Sequence, residues 1–377
     1  MMSDRRSYEV VVVGGGPAGM TTSLYTTRLG HRTAVFEAEG GRHASVSHVH
    51  NLFGVSEDVS GRELSKHAVD QFEEYGGTYY LDAVEDVRQS DDGFVVEAGH
   101  GTVEAERVVF ATGFSDREPD VPELLSFTGR GLHYCLHCDA YTLGDGPVFV
   151  LGHDDHAATV AMLMLNFTAD VDLLLDGHEP EWSEDVERQL RAHPVDVVEA
   201  SVVGAFPRAE RASDRGEATD GRTGSEANSD SATDPWLGGL TFAAGESGRE
   251  GTDREYLGGF AMYGKEYDTD LAASLGCALA DDGALAVDEN YETSVDGAYA
   301  AGDITHGQNQ TVVAMGDGAR AGMAVHKDLR RYPLPPEDLD DAELAEVPAA
   351  AADLRARMRL VRNYERHAGL RDPSPHR

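Results

Sequence analysis

The chain has 377 residues, enough for two domains with separate cores, and its 68 acidic and 31 basic residues give a formal net charge of −37. So acidic a chain offers no basic patch for phosphates, which excludes a nucleic-acid partner. No stretch approaches the ~20 apolar residues that cross a bilayer, and three cysteines are too few for a disulfide-built secreted fold, so we expect a cytoplasmic protein without a membrane partner.

The first predicted unit is a strand, a glycine-rich turn, a helix and a second strand. The apolar run "YEVVVV" is typical of a buried parallel strand, and "GGGPAG" follows it and opens the helix pattern "MTTSLYTTRLG". This order is the dinucleotide-binding arrangement, in which glycines permit a tight turn, the approach of a pyrophosphate and helix packing. A glycine-rich packing turn is the alternative. The residues that match the turn are Gly14, Gly16, Pro17, Ala18 and Gly19.

The strand after this helix, "RTAVFE", ends at Glu37, which is placed to accept a hydrogen bond from a ribose hydroxyl. Further along, "GTVEAERVVFATG" predicts two strands that end in Ala111, Thr112 and Gly113. A second strand–turn–helix–strand unit then runs through "PVFVLG", "GHDDHA", "HAATVAMLMLNFT" and "DVDLLLD".

The turn of the second unit departs from the dinucleotide pattern. Gly152 keeps the tight turn and Ala157 can serve for helix packing, but Asp154 replaces the glycine that lets a pyrophosphate approach. Asp155, and Asp176 at the end of the next strand, add negative charge where phosphates would lie. We therefore doubt that NAD(P)H binds well.

A Cys-x-x-Cys pair, Cys135 and Cys138, lies shortly before the second unit. In a reducing compartment such a pair is redox-active or binds a metal. A second Cys-x-x-Cys is missing from the sequence, and His137 inside the motif is poorly placed for a tetrahedral zinc site, so we predict no metal. Flanking His133 and His137 could lower the thiol pKa values if protonated, or they are ordinary polar loop residues.

Residues 208–255 are rich in acidic and small polar residues and poor in apolar ones, which predicts a flexible acidic insertion. The overall acidity favours a protein adapted to high salt, because salt screens the repulsion. After a linker, an Arg-rich pattern predicts a C-terminal helix that docks on acidic surface of its own chain or of a dimer mate. A solvated helix is the alternative.

The segments "VVVGGGPAGM", "ATG", "CLHCDAY" and "TSVDGAYAAGDI…NQTVVAMGDGARAG" resemble, in order and spacing, the thioredoxin reductases, a branch of the pyridine nucleotide–disulfide oxidoreductases. The resemblance implies an α/β fold of two doubly wound Rossmann-like domains. It implies a discontinuous FAD domain, 1–114 and 256–331, around an NAD(P)-domain equivalent at 115–255. Residues 332–377 form the linker and the C-terminal helix.

The resemblance also implies the residues that hold FAD. Gly302 and Asp303 match the late FAD motif, Gln310 and Thr311 match positions near the flavin ring, and Asn51 in "HNLFG" matches a flavin-adjacent Asn. Asn309 replaces an Arg of the family pattern.

The roles of the thiol pair come from the same resemblance. Cys138 would face the flavin, Cys135 would attack the substrate disulfide, and Asp139 would handle the proton. The implied partners are a thioredoxin-like protein or a small disulfide or dithiol, and the chain is expected to form a homodimer. Two alternatives stay open: a dithiol oxidase that passes electrons through FAD to oxygen, and a non-enzymatic FAD-binding redox sensor.

Overall fold

The computed structural model describes residues 6–208, 235–243, 252–330, 332–333 and 352–363. In these ranges the strands, β1 to β17 in chain order, are Arg6–Val13, Thr33–Glu37, Thr78–Leu81, Val84–Ser90, Gly93–Ala98, Gly101–Phe110, Phe114–Asp116, Leu132–His133, Val148–Leu151, Val171–Leu174, Val195–Val198, Val202–Pro207, Leu237–Phe242, Thr252–Glu255, Gly258–Ala261, Lys265–Tyr267 and Ala298–Ala300. The helices, α1 to α10, are Pro17–Arg28, Gly41–Ala44, Gly61–Glu74, Pro122–Leu125, Leu136–Asp139, Asp155–Met164, Glu184–Ala192, Asp270–Leu275, Thr311–Leu329 and Ala352–Asn363, and a 3-10 turn spans Ala140–Thr142. No helix in the described ranges is long and apolar enough to cross a membrane.

The described residues divide into two compact units. The first holds those up to Ser115 and from Glu266 onward, and the second holds Asp116–Lys265. β15 lies between β9 and β8 in the sheet of the second unit. The second unit therefore extends beyond residue 255, where the sequence predicted the boundary.

In the described part of the first unit, seven strands form one sheet in the order β3-β2-β1-β6-β5-β4, with β17 also paired to β6. The pairs among β3, β2, β1, β6 and β17 are parallel, whereas β5 is antiparallel to β6 and to β4. β6 is one continuous strand where the sequence predicted two, because its first half pairs with β5 and its second half with β17.

The central strand β1 packs against helices on both of its faces. Val10 and Val12 pack in the cluster that contains residues of α1, α3 and α9, and Val11 and Val13 pack in a second cluster with α8. Val10, Val11 and Val12 are fully buried, as a strand covered on both faces requires.

In the described part of the second unit, five strands form a parallel sheet in the order β11-β10-β9-β15-β8. The central strand β9 is fully buried, and α6 packs in the same core cluster. Strands β12, β13 and β14 form a separate antiparallel sheet. The predicted α/β fold of two doubly wound Rossmann-like domains is confirmed.

The predicted acidic insertion at 208–255 is wrong for two segments, β13 and β14, which are strands. Leu237 and Leu240 are fully buried and Phe242 is 4% exposed, because β13 is the middle strand of the antiparallel sheet. The composition of the whole segment concealed this short apolar strand. Residues 209–234 and 244–251, which account for most of the predicted insertion, lie outside the described residues.

The C-terminal helix α10 contacts the first unit, to which it belongs. The guanidinium of Arg357 donates to the carbonyls of Gly30 and His31, each at 2.9 Å, just after the end of α1. Leu354 lies beside Gly30, 3.5 Å from where a Cβ there would be. The Arg357 guanidinium thus complements the negative end of α1. The expected docking of this helix on acidic surface stays a prediction.

Candidate functional site

The glycines of the first turn have different structural roles. Gly14 has φ +107° and a Cβ there would lie 2.4 Å from the Ala111 oxygen, while a Cβ on Gly19 would lie 1.9 Å from the Gly14 oxygen. These two glycines are needed for the turn itself to close. A Cβ on Gly16, by contrast, would meet no atom of the described chain within 4 Å. Gly16 therefore leaves open space in front of the turn.

The N-terminus of α1 is prepared for an anion. Pro17 begins the helix, Gly16 is its N-cap, and among the described residues no side chain caps it and no acidic residue lies in its first turn. Backbone N–H groups in the first turn of a helix lack intrahelical partners and carry a partial positive charge. This end of α1 therefore suits a pyrophosphate.

Glu37 lies where the sequence predicted it, at the end of β2. Its side chain accepts hydrogen bonds from the backbone N–H groups of Gly15 at 2.5 Å, Glu39 at 3.1 Å and Gly40 at 2.9 Å. The residue is only 7% exposed. Glu37 thus holds the glycine turn in shape, a role that the sequence did not indicate, and its role toward a ribose hydroxyl stays a prediction.

The late motif lies against the first turn. Gly302 has φ +77°, and a Cβ there would lie 2.5 Å from the Cβ of Ala18. Asp303 follows directly, so the structure brings the "AAGD" segment to the beginning of α1. Only glycine fits at 302, because both its backbone conformation and its neighbour exclude a side chain.

The segment after β6 anchors a neighbouring loop. The Thr112 hydroxyl donates to the Asp268 carbonyl at 2.6 Å, and the Asp268 N–H donates to the Gly113 carbonyl at 3.0 Å. Ala111 packs beside the first turn instead. Burial, with the nearby Asp270 adding to it, raises the pKa of Asp268.

Three residues expected near a flavin ring lie together. The Asn51 amide donates to the Gln310 side-chain oxygen at 2.7 Å, and Thr311 lies 3.4 Å from the Nδ1 atom of His43. His43 was not predicted as a site residue. Its Nε2 atom is buried and has no hydrogen-bond partner among the described residues. Burial, followed by the charge of Arg42, lowers the pKa of His43, which favours a neutral ring.

The thiol pair lies on a short helix of the second unit. Cys135 and Cys138 form a disulfide with their Cα atoms 5.3 Å apart, and Cys135 stands at the N-cap position of α5 without a side-chain capping bond. The Oδ2 atom of Asp139 lies 3.3 Å from the Nδ1 atom of His133, whose side chain is 7% exposed. The described residues contain no group of three His, Cys, Asp or Glu side chains placed for a metal ion.

The second turn is closed by its own residues. A Cβ on Gly152 would lie 2.6 Å from the Cβ of Ala157, so both keep the predicted packing roles. The side chain of Asp154 is the N-cap of α6 and accepts from the Ala157 N–H at 2.9 Å. The helix end that would bind a pyrophosphate thus holds a carboxylate of the chain itself.

A loop also covers the second turn. Asp155 accepts from the Ser183 N–H at 2.6 Å, and the Glu181 N–H donates to the carbonyl of His153 at 2.7 Å. The imidazole of His153 stacks on that of His178, with ring centroids 4.6 Å apart. These contacts place side chains and backbone of residues 178–183 beside the turn.

Asp176, at the position where a nucleotide's ribose is bound in such folds, is engaged on both oxygens. One accepts from the Val202 N–H at 2.7 Å and the other from the Tyr263 hydroxyl at 2.9 Å. Burial, and then the charge of Asp176, raises the pKa of Tyr263, so this phenol stays a donor. The sequence indicated the charge of Asp176 but not these partners.

Comparison with known proteins gives one consistent result. The family described as pyridine nucleotide-disulphide oxidoreductase matches residues 8–318. The thioredoxin reductase of Peptoclostridium litorale is 29% identical over 326 residues, 85% of this chain and 96% of that protein. The thioredoxin reductase of Bacillus subtilis is 27% identical over 330 residues, 86% of this chain and 95% of that protein. The crystal structure of thioredoxin reductase from Streptococcus pyogenes has a TM-score of 0.74 at 25% identity, with 86% of this chain and 99% of that chain covered.

Proposed function

The chain belongs to the pyridine nucleotide-disulphide oxidoreductase family, and we propose that Cys135 and Cys138 exchange electrons between FAD and a substrate disulfide or dithiol. Its similarity to thioredoxin reductases identifies the chain as a flavin-dependent disulfide oxidoreductase. The observation that carries the assignment of the reacting groups is the Cys135–Cys138 disulfide with the Asp139 carboxylate directly after it.

The first unit fits FAD. The open space at Gly16, the N-terminus of α1 and the unpartnered Nε2 atom of His43 are features that a bound dinucleotide would use. When bound, FAD supplies a carrier that takes up and releases an electron pair. The residues that would hold it are Gly14, Gly16, Pro17, Ala18, Gly19, Glu37, Asn51, Ala111, Thr112, Gly113, Gly302, Asp303, Gln310 and Thr311.

The reduced pair would act on a disulfide in two exchanges. The Cys135 thiol gives its proton to Asp139, and the thiolate attacks one substrate sulfur, so a mixed disulfide forms and the substrate S–S bond breaks. The departing thiolate takes the proton back from Asp139. Cys138, deprotonated in the same way, attacks Cys135, which restores the Cys135–Cys138 bond and releases the second substrate thiol. Two electrons pass to the substrate.

We further infer that NADPH and NADH reduce this protein poorly. Asp154 occupies the N-terminus of α6, Asp176 has both oxygens engaged, and the loop at 178–183 lies beside the turn. A phosphate brought to this helix end would meet a carboxylate, and one such uncompensated contact weakens binding by roughly 1 kcal/mol or more. The same observation favours a second candidate function, a dithiol oxidase in which oxygen takes the electrons from FAD.

The donor is identified by anaerobic titration of the oxidised holoprotein in molar salt. We expect dithiothreitol to bleach the visible flavin absorbance and micromolar NADPH or NADH to leave it nearly unchanged. Cys135→Ser is the control, because it should block bleaching by the dithiol. Rapid, saturable bleaching by NADPH would contradict the donor proposal and leave the disulfide chemistry intact.

Admitting oxygen separates the remaining candidates. Catalytic consumption of dithiol with oxygen uptake supports the oxidase, and dithiol-dependent reduction of a thioredoxin-like protein disulfide without oxygen supports the reductase. Turnover in neither assay, with flavin retained, would indicate the redox sensor. We propose that the protein works in a cytoplasm of high salt and forms a homodimer there. Sedimentation in molar KCl tests the homodimer.

A further inference from the structure

Beside the thiol pair lies a buried histidine that the mechanism above does not use. His133 ends β8, its side chain is only 7% exposed, and its ring lies 6.0 Å from that of Phe260 on the paired strand β15. The Nδ1 atom lies 3.3 Å from Oδ2 of Asp139, and the Nε2 atom is buried without a partner among the described residues.

The two ring nitrogens of His133 have different surroundings. A protonated ring would carry an N–H on Nε2 that finds no acceptor, and burying such a donor with a positive charge is costly. The Asp139 carboxylate can only accept, so its contact with Nδ1 at 3.3 Å calls for the ring hydrogen on that nitrogen. The geometry therefore places the Nδ1 side of His133 against Asp139 and leaves its Nε2 side buried.

The surroundings of the pair contain few other titratable groups. Strand β15, which pairs with β8, is Gly258–Ala261 and carries none. Cys138 and the exposed His137 lie on α5 and Cys135 precedes it, with both cysteines joined in the disulfide. The 3-10 turn that follows carries Tyr141, which is 88% exposed. Among the titratable groups on these elements, His133 is therefore the one that contacts the Asp139 carboxylate from the buried side.

We propose that His133 is a positioning residue for Asp139: its Nδ1–H fixes one carboxylate oxygen and leaves the other to take and return the thiol proton. This role rests on the proposed function, because it concerns the proton that Asp139 moves in each exchange. The proton of Cys135 passes to Asp139 and then to the departing substrate thiolate, so His133 gains and loses none.

Two substitutions separate orientation from burial. His133→Leu fills the site without a donor, whereas His133→Asn places an amide N–H near the position of Nδ1 and cannot titrate. His193→Asn, at an exposed histidine of the same unit, is the matched control. Flavin content and thermal unfolding are recorded for each holoprotein.

The reaction is followed after anaerobic reduction with dithiothreitol and desalting. The neutral disulfide 4,4′-dithiodipyridine is added, and thiopyridone release is timed from pH 5 to pH 9. We expect His133→Leu to lose roughly tenfold to a hundredfold in rate near neutrality, the range that one charge-assisted hydrogen bond commands. Its acid-side limb should move to higher pH, because the carboxylate has lost a donor. His133→Asn should recover most of the rate and the wild-type limb.

The outcomes are distinct. A wild-type pH profile in His133→Leu, or an Asn variant as impaired as the Leu variant, overturns the role of His133. If Asp139→Asn and Cys135→Ser remain impaired in that case, the proposed function stands without it. Wild-type rates in Asp139→Asn would overturn both.

Discussion

The first glycine turn separates folding from cofactor binding at the scale of single residues. Gly16→Val should fold, because its side chain meets no described atom within 4 Å at Cβ, and should lose FAD, because the side chain fills the space of a pyrophosphate. Bound flavin after gel filtration and the far-UV circular dichroism spectrum measure the two effects.

Gly19→Val is the contrasting control. Its Cβ would lie 1.9 Å from the Gly14 carbonyl oxygen, so this variant should lose its fold together with its flavin. Full flavin content in Gly16→Val would remove the turn from the proposed FAD site.

The variants that keep only one cysteine of the pair should differ in how they react with a disulfide. In reduced Cys138→Ser, Cys135 attacks a disulfide and no second thiol resolves the product, so a stable mixed disulfide should accumulate. In Cys135→Ser the adduct should form far more slowly. Intact-protein mass after anaerobic incubation with 4,4′-dithiodipyridine distinguishes them, and the opposite pattern would exchange the roles of the sulfurs.

Residue types and spacing were enough to propose the glycines, Glu37 and the thiol pair as site residues, because each is tied to a local motif. Partners that meet across the chain were not predictable. Asn51 meets Gln310 across more than 250 positions, and His43 and His133 are ordinary histidines in the sequence whose burial depends on strands and helices far from them. Periodicity carries no information about such contacts.

At the scale of elements, α1 and α6 begin after similar turns but differ in what holds their first N–H groups. The described N-terminus of α1 has no side-chain cap, whereas Asp154 caps α6. Asp154→Gly should cost only a few tenths of a kcal/mol relative to the native cap and should tighten NADH binding roughly fivefold. Equilibrium dialysis in molar salt measures the affinity.

Asp154→Asn separates charge from access in this experiment. It keeps a capping oxygen and removes the charge, so it should recover part of the gain seen in Asp154→Gly. No change in affinity for either variant would mean that the loop at 178–183, rather than the cap, excludes the nucleotide.

Glu9 on β1 lies in a polar cluster with His31 and Arg32, which precede β2. His31 in turn contacts His326 on α9. Burial opposes ionisation of this carboxyl, but hydrogen bonds from His31 and from the Arg32 N–H prevail and hold the pKa of Glu9 at about 2, against an ordinary 4.5. A lowered pKa stabilises the fold above the ordinary value, and the contribution is lost as pH falls from about 4.5 towards 2. The side chain is 29% exposed, so solvent reduces the effect.

Glu9→Gln should therefore lower the free energy of unfolding at pH 7 by up to about 3 kcal/mol, and the difference from wild type should shrink below pH 4.5. Urea unfolding at several pH values measures it, with Glu73→Gln on the exposed face of α3 as control. A difference that is constant down to pH 2 would mean that Glu9 acts through packing and not through its charge.

At the scale of the whole molecule, the two strand–turn–helix–strand units were predictable because each is local and strongly patterned. The point at which the chain returns to the first unit was harder to predict from the sequence. β15 looked like the start of the first unit's second part, but it completes the parallel sheet of the second unit, and only sheet order reveals that. Likewise β13 was hidden by the acidic composition around it, and its buried residues Leu237, Leu240 and Phe242 do not alternate with the strict period of two that marks a half-buried strand.

The net charge of −37 predicts how the molecule responds to salt. Self-repulsion opposes the compact state, and the Debye length falls from about 10 Å at 0.1 M to about 3 Å at 1 M, so the unfolding midpoint at pH 7 should rise steeply with KCl over that range. Near pH 4.6, the isoelectric point of the sequence, the net charge vanishes and the gain from KCl should largely disappear. Thermal scans at the two pH values measure both. An equal gain at the two pH values would show that salt acts by strengthening apolar burial, as it does in any protein, and not by screening this surface.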